Sequence, residues 1–161
     1  MNIFKFALDF EREHKNFYRE QSQKSENESL KKLFNYLVDE EEKHERFIKK
    51  LSEDEKVEHI ESDILPKVKE AFEKIAVKSC SEVLPTEQVD IYKKAREMET
   101  RSYNFYQSKA EETDLLFVQK AFKKLAKEEK KHETIMRNLV EFVNRPNTWL
   151  DDAEWYHLED Y

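Results

Sequence analysis

Sliding the sequence along itself by 88 positions superposes two stretches, and this internal repeat limits the available folds more than any other feature. The shift pairs Glu11 with Glu99, Glu41 with Glu129 and His44 with His132. It also pairs Ala7 with Ala95, Asn16-Phe17-Tyr18 with Asn104-Phe105-Tyr106, Phe34 with Phe122, Leu37 with Leu125, and Leu51 with Leu139. Roughly a third of the aligned positions are identical, so the two copies should fold as the same supersecondary unit. Each copy carries one Glu and, thirty residues later, a Glu-x-x-His.

Hydrophobic spacing makes that unit a helical hairpin. Ile3, Phe6, Ala7, Phe10, Phe17 and Tyr18 recur at helical intervals, which predicts a first helix from about Asn2 to Gln23. Leu30, Leu33, Phe34, Leu37, Phe47 and Ile48 predict a second, from about Glu26 to Leu51, with Ser25 as its cap and Glu28 closing a capping box. The link is short, so the two run antiparallel. A third long helix is expected after Pro85, capped by Thr86 and ending near Glu112. A fourth is expected from Asp114 to about Val143, stopped by Arg145-Pro146. Between the hairpins, residues 52–85 are long enough to run the length of a bundle, and Leu65 to Val77 reads as a short helix with Pro66 near its start. Two hairpins joined by one long crossover make an all-α, ferritin-like four-helix bundle over residues 1–145. Residues 146–161, which hold Trp149, Trp155 and Tyr156 among acidic side chains, are expected to be a docking tail, packing within or between subunits.

Composition narrows the function. The chain has no glycine, which removes the phosphate-cradling loop and the dinucleotide fingerprint, since both need glycine to bring backbone close to phosphate. Its net charge of −7 argues against nucleic acid as a partner, which would require a basic face. No apolar run approaches a membrane span and no secretory leader pattern opens the chain, so a cytoplasmic protein is expected. A single cysteine, Cys80, permits neither an internal disulfide nor a four-cysteine metal site, and it reads as a buried or crossover residue.

The repeated Glu and Glu-x-x-His then carry the chemistry. In a hairpin turning near residue 26, Glu11 and Glu41 each lie about 22 Å from the turn, and Glu99 and Glu129 do the same in the second hairpin. Positions i and i+3 share a helix face, so Glu41 with His44 and Glu129 with His132 can reach one centre. Four carboxylates balance two divalent cations. Oxygen donors with a few nitrogens suit iron or manganese, and the lack of thiolates argues against structural zinc. One such motif alone would be an ordinary helix surface, because glutamate is abundant and His14 and His157 also follow a Glu by three. Two motifs in register with upstream glutamates are not. The constellation resembles that of the di-iron carboxylate bundles.

At these residues the chain resembles the rubrerythrin family of the ferritin-like superfamily. The resemblance runs from Ile3 to about Asn144 and rests on Ala7…Glu11…Phe17-Tyr18 with Glu41-x-x-His44, and on Ala95…Glu99…Phe105-Tyr106 with Glu129-x-x-His132. It implies that Glu11 and Glu99 are terminal ligands, that Glu41 and Glu129 supply bridging or paired carboxylates, and that His44 and His132 each give a nitrogen. Two departures stand out. The four-cysteine, electron-delivering domain of rubrerythrins proper has no counterpart, and Ser102 stands where they carry an extra glutamate one turn after the third-helix ligand. The sequence is closer to the shorter, more symmetric members.

Other residues invite a role. Tyr18 and Tyr106 lie two turns beyond a ligand Glu on the same face, as hydrogen-bond donors behind the ligands, as oxidisable neighbours of the metals, or simply as core tyrosines. His14 is within a turn of Glu11, but its repeat mate is Ser102, so it is expected on the helix surface or behind a ligand rather than as one. Asn16 and Asn104 are repeated polar residues that suit a contact between helices or the surface equally. The Glu40 to Glu45 and Glu128 to Glu133 runs read mostly as solvated faces, and Glu40 and Glu128, though next to the ligands in sequence, should point away from them.

The expected function is a non-haem di-iron oxidoreductase reducing hydrogen peroxide or dioxygen, with two iron ions, or manganese or a mixed pair, and electrons from a separate donor protein. A homodimer or higher homo-oligomer is expected. The alternatives are iron handling by ferroxidation without turnover, and a structural bundle with a vestigial site.

Overall fold

A computed structural model describes residues 2–53, 62, 64–78 and 89–144, and these form five helices: α1 (Ile3–Lys24), α2 (Glu28–Ser52), α3 (Ile64–Lys78), α4 (Val89–Glu112) and α5 (Leu116–Asn144). α1 packs along α2, and α4 along α5. α3 lies in the crossover against α2 and α5. The tail at 146–161, the Thr86 cap and Cys80 lie outside the described residues.

The helices start where a short polar side chain can take the first free N–H groups. Asn2 Oδ1 accepts from Phe4 N at 3.0 Å. The α2 cap is Asn27, whose Oδ1 accepts from Leu30 N at 3.0 Å. Ser25, expected in that role, instead closes α1, its N–H donating to Gln21 O at 3.0 Å. Residues 25–27 offer two competent caps, and the later one leaves Glu28 in the first turn, where a carboxylate suits the helix dipole. Likewise α5 begins at Leu116 rather than Asp114, after Thr113 Oγ1 accepts from Leu115 N. In the crossover, Ser62 Oγ accepts from Ile64 N at 3.1 Å and opens α3.

The core has two apolar clusters with a polar layer between them. One joins the C-terminal part of α1, the N-terminal halves of α2 and α4, the C-terminal part of α5 and α3, through residues such as Tyr18, Phe34, Leu37, Phe72, Tyr92 and Leu139. The other joins the opposite ends of the same four long helices through Ala7, Ile48, Tyr106, Phe122 and Leu125. α1 and α4 are therefore antiparallel, as are α2 and α5, and the repeat is expressed as an approximate two-fold axis through the middle of the bundle. Main chains of different hairpins stay farther apart than those within a hairpin. Long side chains fill that gap.

Candidate metal centre

The polar layer is built by helical spacing. Glu11, His14 and Tyr18 share one face of α1, and Glu99, Ser102 and Tyr106 share the matching face of α4, at i, i+3 and i+7. Glu41 with His44 on α2, and Glu129 with His132 on α5, face them. All ten side chains are buried. The apolar clusters on either side keep bulk water away from this layer.

Six of these residues sort into two groups. His44 Nδ1 lies 3.3 Å from Glu129 Oε1, 3.4 Å from Glu11 Oε2 and 3.7 Å from Glu41 Oε2. His132 Nδ1 lies 3.0 Å from Glu41 Oε1, 3.6 Å from Glu99 Oε1 and 3.8 Å from Glu129 Oε2. Glu41 and Glu129 thus give one oxygen to each group, while Glu11 and Glu99 each serve one. Donors about 2.0–2.2 Å from a common ion, at angles between 90° and 180°, are themselves about 3–4.3 Å apart, a range that covers each of these histidine-to-carboxylate distances. The imidazoles of His44 and His132 stack at 5.3 Å with 8° between their planes.

Unpaired atoms mark the same positions. Glu11 Oε2, Glu41 Oε2, Glu129 Oε1 and His44 Nδ1 are buried with no hydrogen-bond partner, and together they are the whole of the first group. Buried polar atoms normally find partners, so four that converge on one point fit a cation. Two tyrosines hold the end carboxylates: Tyr106 Oη donates to Glu11 Oε1 at 2.6 Å, leaving Oε2 to the first group, and Tyr18 Oη donates at 2.5 Å to Glu99 Oε1, the same oxygen that faces His132. Each tyrosine reaches across from one hairpin to the other.

The electrostatics agree with the geometry. Burial pushes the Glu41 and Glu129 carboxyls well above the usual carboxylate range, and the charges of Glu11 and Glu99 push them further. Burial acts the same way on Glu11, but His44 and hydrogen bonds within the cluster outweigh it and hold this carboxyl low. At Glu99, His14 and the cluster's hydrogen bonds do the same. Four carboxylates in a dry layer cannot all be charged without added positive charge. Burial and the neighbouring carboxylates raise the hydroxyls of Tyr18 and Tyr106 well above the ordinary tyrosine value, so both keep their protons.

Of the two places expected for His14, the helix surface is excluded: the residue is buried, its donor atom lies within 4.8 Å of donors from Glu11, Glu41 and Glu129, and its Nε2 is 3.2 Å from Ser102 Oγ. Burial lowers its pKa, but Glu99, Glu41 and Glu11 more than compensate and raise it to about 9. Glu40 and Glu128 do not face solvent either. Both are buried, one oxygen of each meeting Lys43 Nζ at 3.3 Å and Lys131 Nζ at 2.9 Å. Glu40 groups with His44 and His132 within 4.8 Å, and His132 is raised despite burial by Glu99, Glu40 and Glu128. A sequence signal for these two existed: Glu40 with Lys43 and Glu128 with Lys131 are identical in both copies of the repeat.

The Rubrerythrin family model matches residues 2–140, a span that takes in every member of this cluster. The chain belongs to the Rubrerythrin family. It therefore has the bundle of a di-iron carboxylate family, with a buried Glu/His cluster compatible with a metal site. No curated protein and no solved structure matches it. Among the described residues no helix is long and apolar enough to cross a membrane.

Proposed function

We propose that Glu11, Glu41, His44, Glu99, Glu129 and His132 hold two iron ions, and that the protein is a non-haem oxidoreductase reducing hydrogen peroxide or dioxygen. The observation that carries this reading is the division of Glu41 and Glu129, each offering one oxygen to either ligand group. The donor set fits: four carboxylates offset two divalent charges, and oxygen with imidazole nitrogen suits iron. When bound, the iron pair would supply the electrons for O–O reduction, one from each ion.

The chain's own residues do the rest. Tyr18 and Tyr106 orient the Glu99 and Glu11 carboxylates by donating to Glu99 Oε1 and Glu11 Oε1; at Glu11 this leaves Oε2 for the centre, and at Glu99 the accepting oxygen keeps a further lone pair for it. Leu37, Phe34, Phe122 and Leu125, above and below the layer, exclude water from it. Reducing peroxide to water consumes two electrons and two protons. With one cysteine and no second recognisable redox centre in the sequence, the electrons are assigned to a separate donor protein.

The test is stoichiometric oxidation of anaerobic, ferrous-loaded protein by peroxide, followed by absorption. Wild type should be oxidised rapidly and return to the reduced state with an external reductant, while Glu129→Ala should lose the reaction. Normal turnover in Glu129→Ala would refute the assignment.

A further inference from the structure

We infer that His14 is a third nitrogen ligand of this centre, bound through Nδ1 to the metal that His132 and Glu99 hold; the inference rests on the two-metal reading above. His14 Nδ1 lies 3.5 Å from Glu99 Oε1, 3.8 Å from Glu41 Oε1 and 3.9 Å from Glu129 Oε2. These are the same three oxygens that surround His132 Nδ1. The distances are too long for hydrogen bonds, and Nδ1 is buried without a partner. They are the right length for donors sharing an ion about 2.1 Å from each.

The other ring nitrogen supports the same role. Nε2 sits 3.2 Å from Ser102 Oγ, on the opposite hairpin. An imidazole that coordinates through Nδ1 keeps its proton on Nε2 and needs an acceptor there, which the serine oxygen supplies, fixing both tautomer and ring plane. Ser102 also explains why a third ring fits. The approximate two-fold axis relates residue 14 to residue 102, and the small serine leaves the space that the His14 ring enters.

The two metals are then inequivalent. One has a single imidazole, His44, and the other has two, His132 and His14. His44 and His132 come from α2 and α5, whereas His14 approaches from the α1 and α4 side and takes a coordination position there.

The test is proton NMR of protein loaded anaerobically with two cobalt(II) ions per chain. Each imidazole bound through Nδ1 carries an exchangeable Nε2 proton, shifted far downfield by the paramagnetic ion. Wild type should show three such resonances, and His14→Gln two, with both cobalt ions still bound. Calorimetric titration should show one of the two binding steps weakened in His14→Gln by about 10–100-fold, with the other unchanged. Two resonances in fully loaded wild type would overturn the inference and leave the two-metal reading intact. Wild type that binds no cobalt would overturn both. The wild-type count decides the matter even where the variant fails to fold.

Discussion

Replacing Glu129 by Gln should move the metal-free and metal-loaded proteins in opposite directions. Both oxygens of Glu129 are buried without a hydrogen-bond partner, and its ionisation is opposed by burial and by Glu11, Glu99 and Glu41. A buried polar group left unpaired costs about 1–3 kcal/mol. The amide cannot ionise and can donate to the neighbouring carboxylates, so it should recover much of that. For a chain of this size 1 kcal/mol moves Tm by about 2–4 °C, so metal-free Glu129→Gln should melt about 2–12 °C above metal-free wild type. The sign depends on pH. A carboxyl with a raised folded pKa contributes stability that is complete below its unfolded value of about 4.3 and is lost as pH rises through the folded value. The advantage of Gln should therefore be largest at neutral pH and above, and fade towards pH ~4. Metal reverses the order. At a free concentration 100 times each Kd, the two ions together stabilise wild type by about 5.4 kcal/mol, and the variant should lose most of that gain because the amide offers a single neutral oxygen where the carboxylate gave one to each ligand group. Thermal melts by circular dichroism, with chelator and with ferrous or cobaltous ion, read both effects. A metal-free variant that melts at or below wild type, with the metal increment intact, would refute the reasoning.

Tyr106→Phe removes the donor to Glu11 Oε1, and should weaken metal binding by about 10–100-fold without changing stoichiometry; unchanged affinity in a metal titration would contradict the orienting role. Because the Glu41 and Glu129 carboxyls are raised, metal uptake must displace the protons they retain, so affinity should fall as pH falls and a weakly buffered solution should acidify on loading. A pH-stat titration checks this, and a pH-independent affinity would count against it. Phe34 is buried between Tyr18 and Tyr92, with ring centroids 6.3 and 6.2 Å away, so Phe34→Ala should cost about 3–5 kcal/mol in urea denaturation. A cost below about 1 kcal/mol would mean that this cluster does not frame the site.

The bundle and the six central side chains were legible in the sequence because both follow from periodicity. Helical spacing places Glu41 with His44, and the 88-residue repeat doubles the pattern. What was misread depends on three-dimensional neighbours. Glu40 precedes Glu41 and so projects about 100° away from it around the helix, a direction that points outward on an isolated helix. In the bundle α2 contacts α1, α3 and α5, so that direction is still covered, and Lys43 supplies the opposite charge. His14 breaks the repeat, so the sequence does not decide between the surface and a place beside the ligands. Its burial depends on a small residue, Ser102, standing opposite it on another helix, and no local pattern reports that pairing. The helix starts at Glu28 and Leu116 lie two residues beyond the expected ones for a simpler reason, since competing polar caps lie within three positions of each other.

The most direct test of the central claim is metal content together with X-ray absorption on protein loaded anaerobically with ferrous ion. Two irons per chain, coordinated by oxygen and nitrogen alone and separated by about 3.5–4 Å, is the predicted result. A chain that takes up no iron, or that holds a single ion with no metal neighbour, would contradict it.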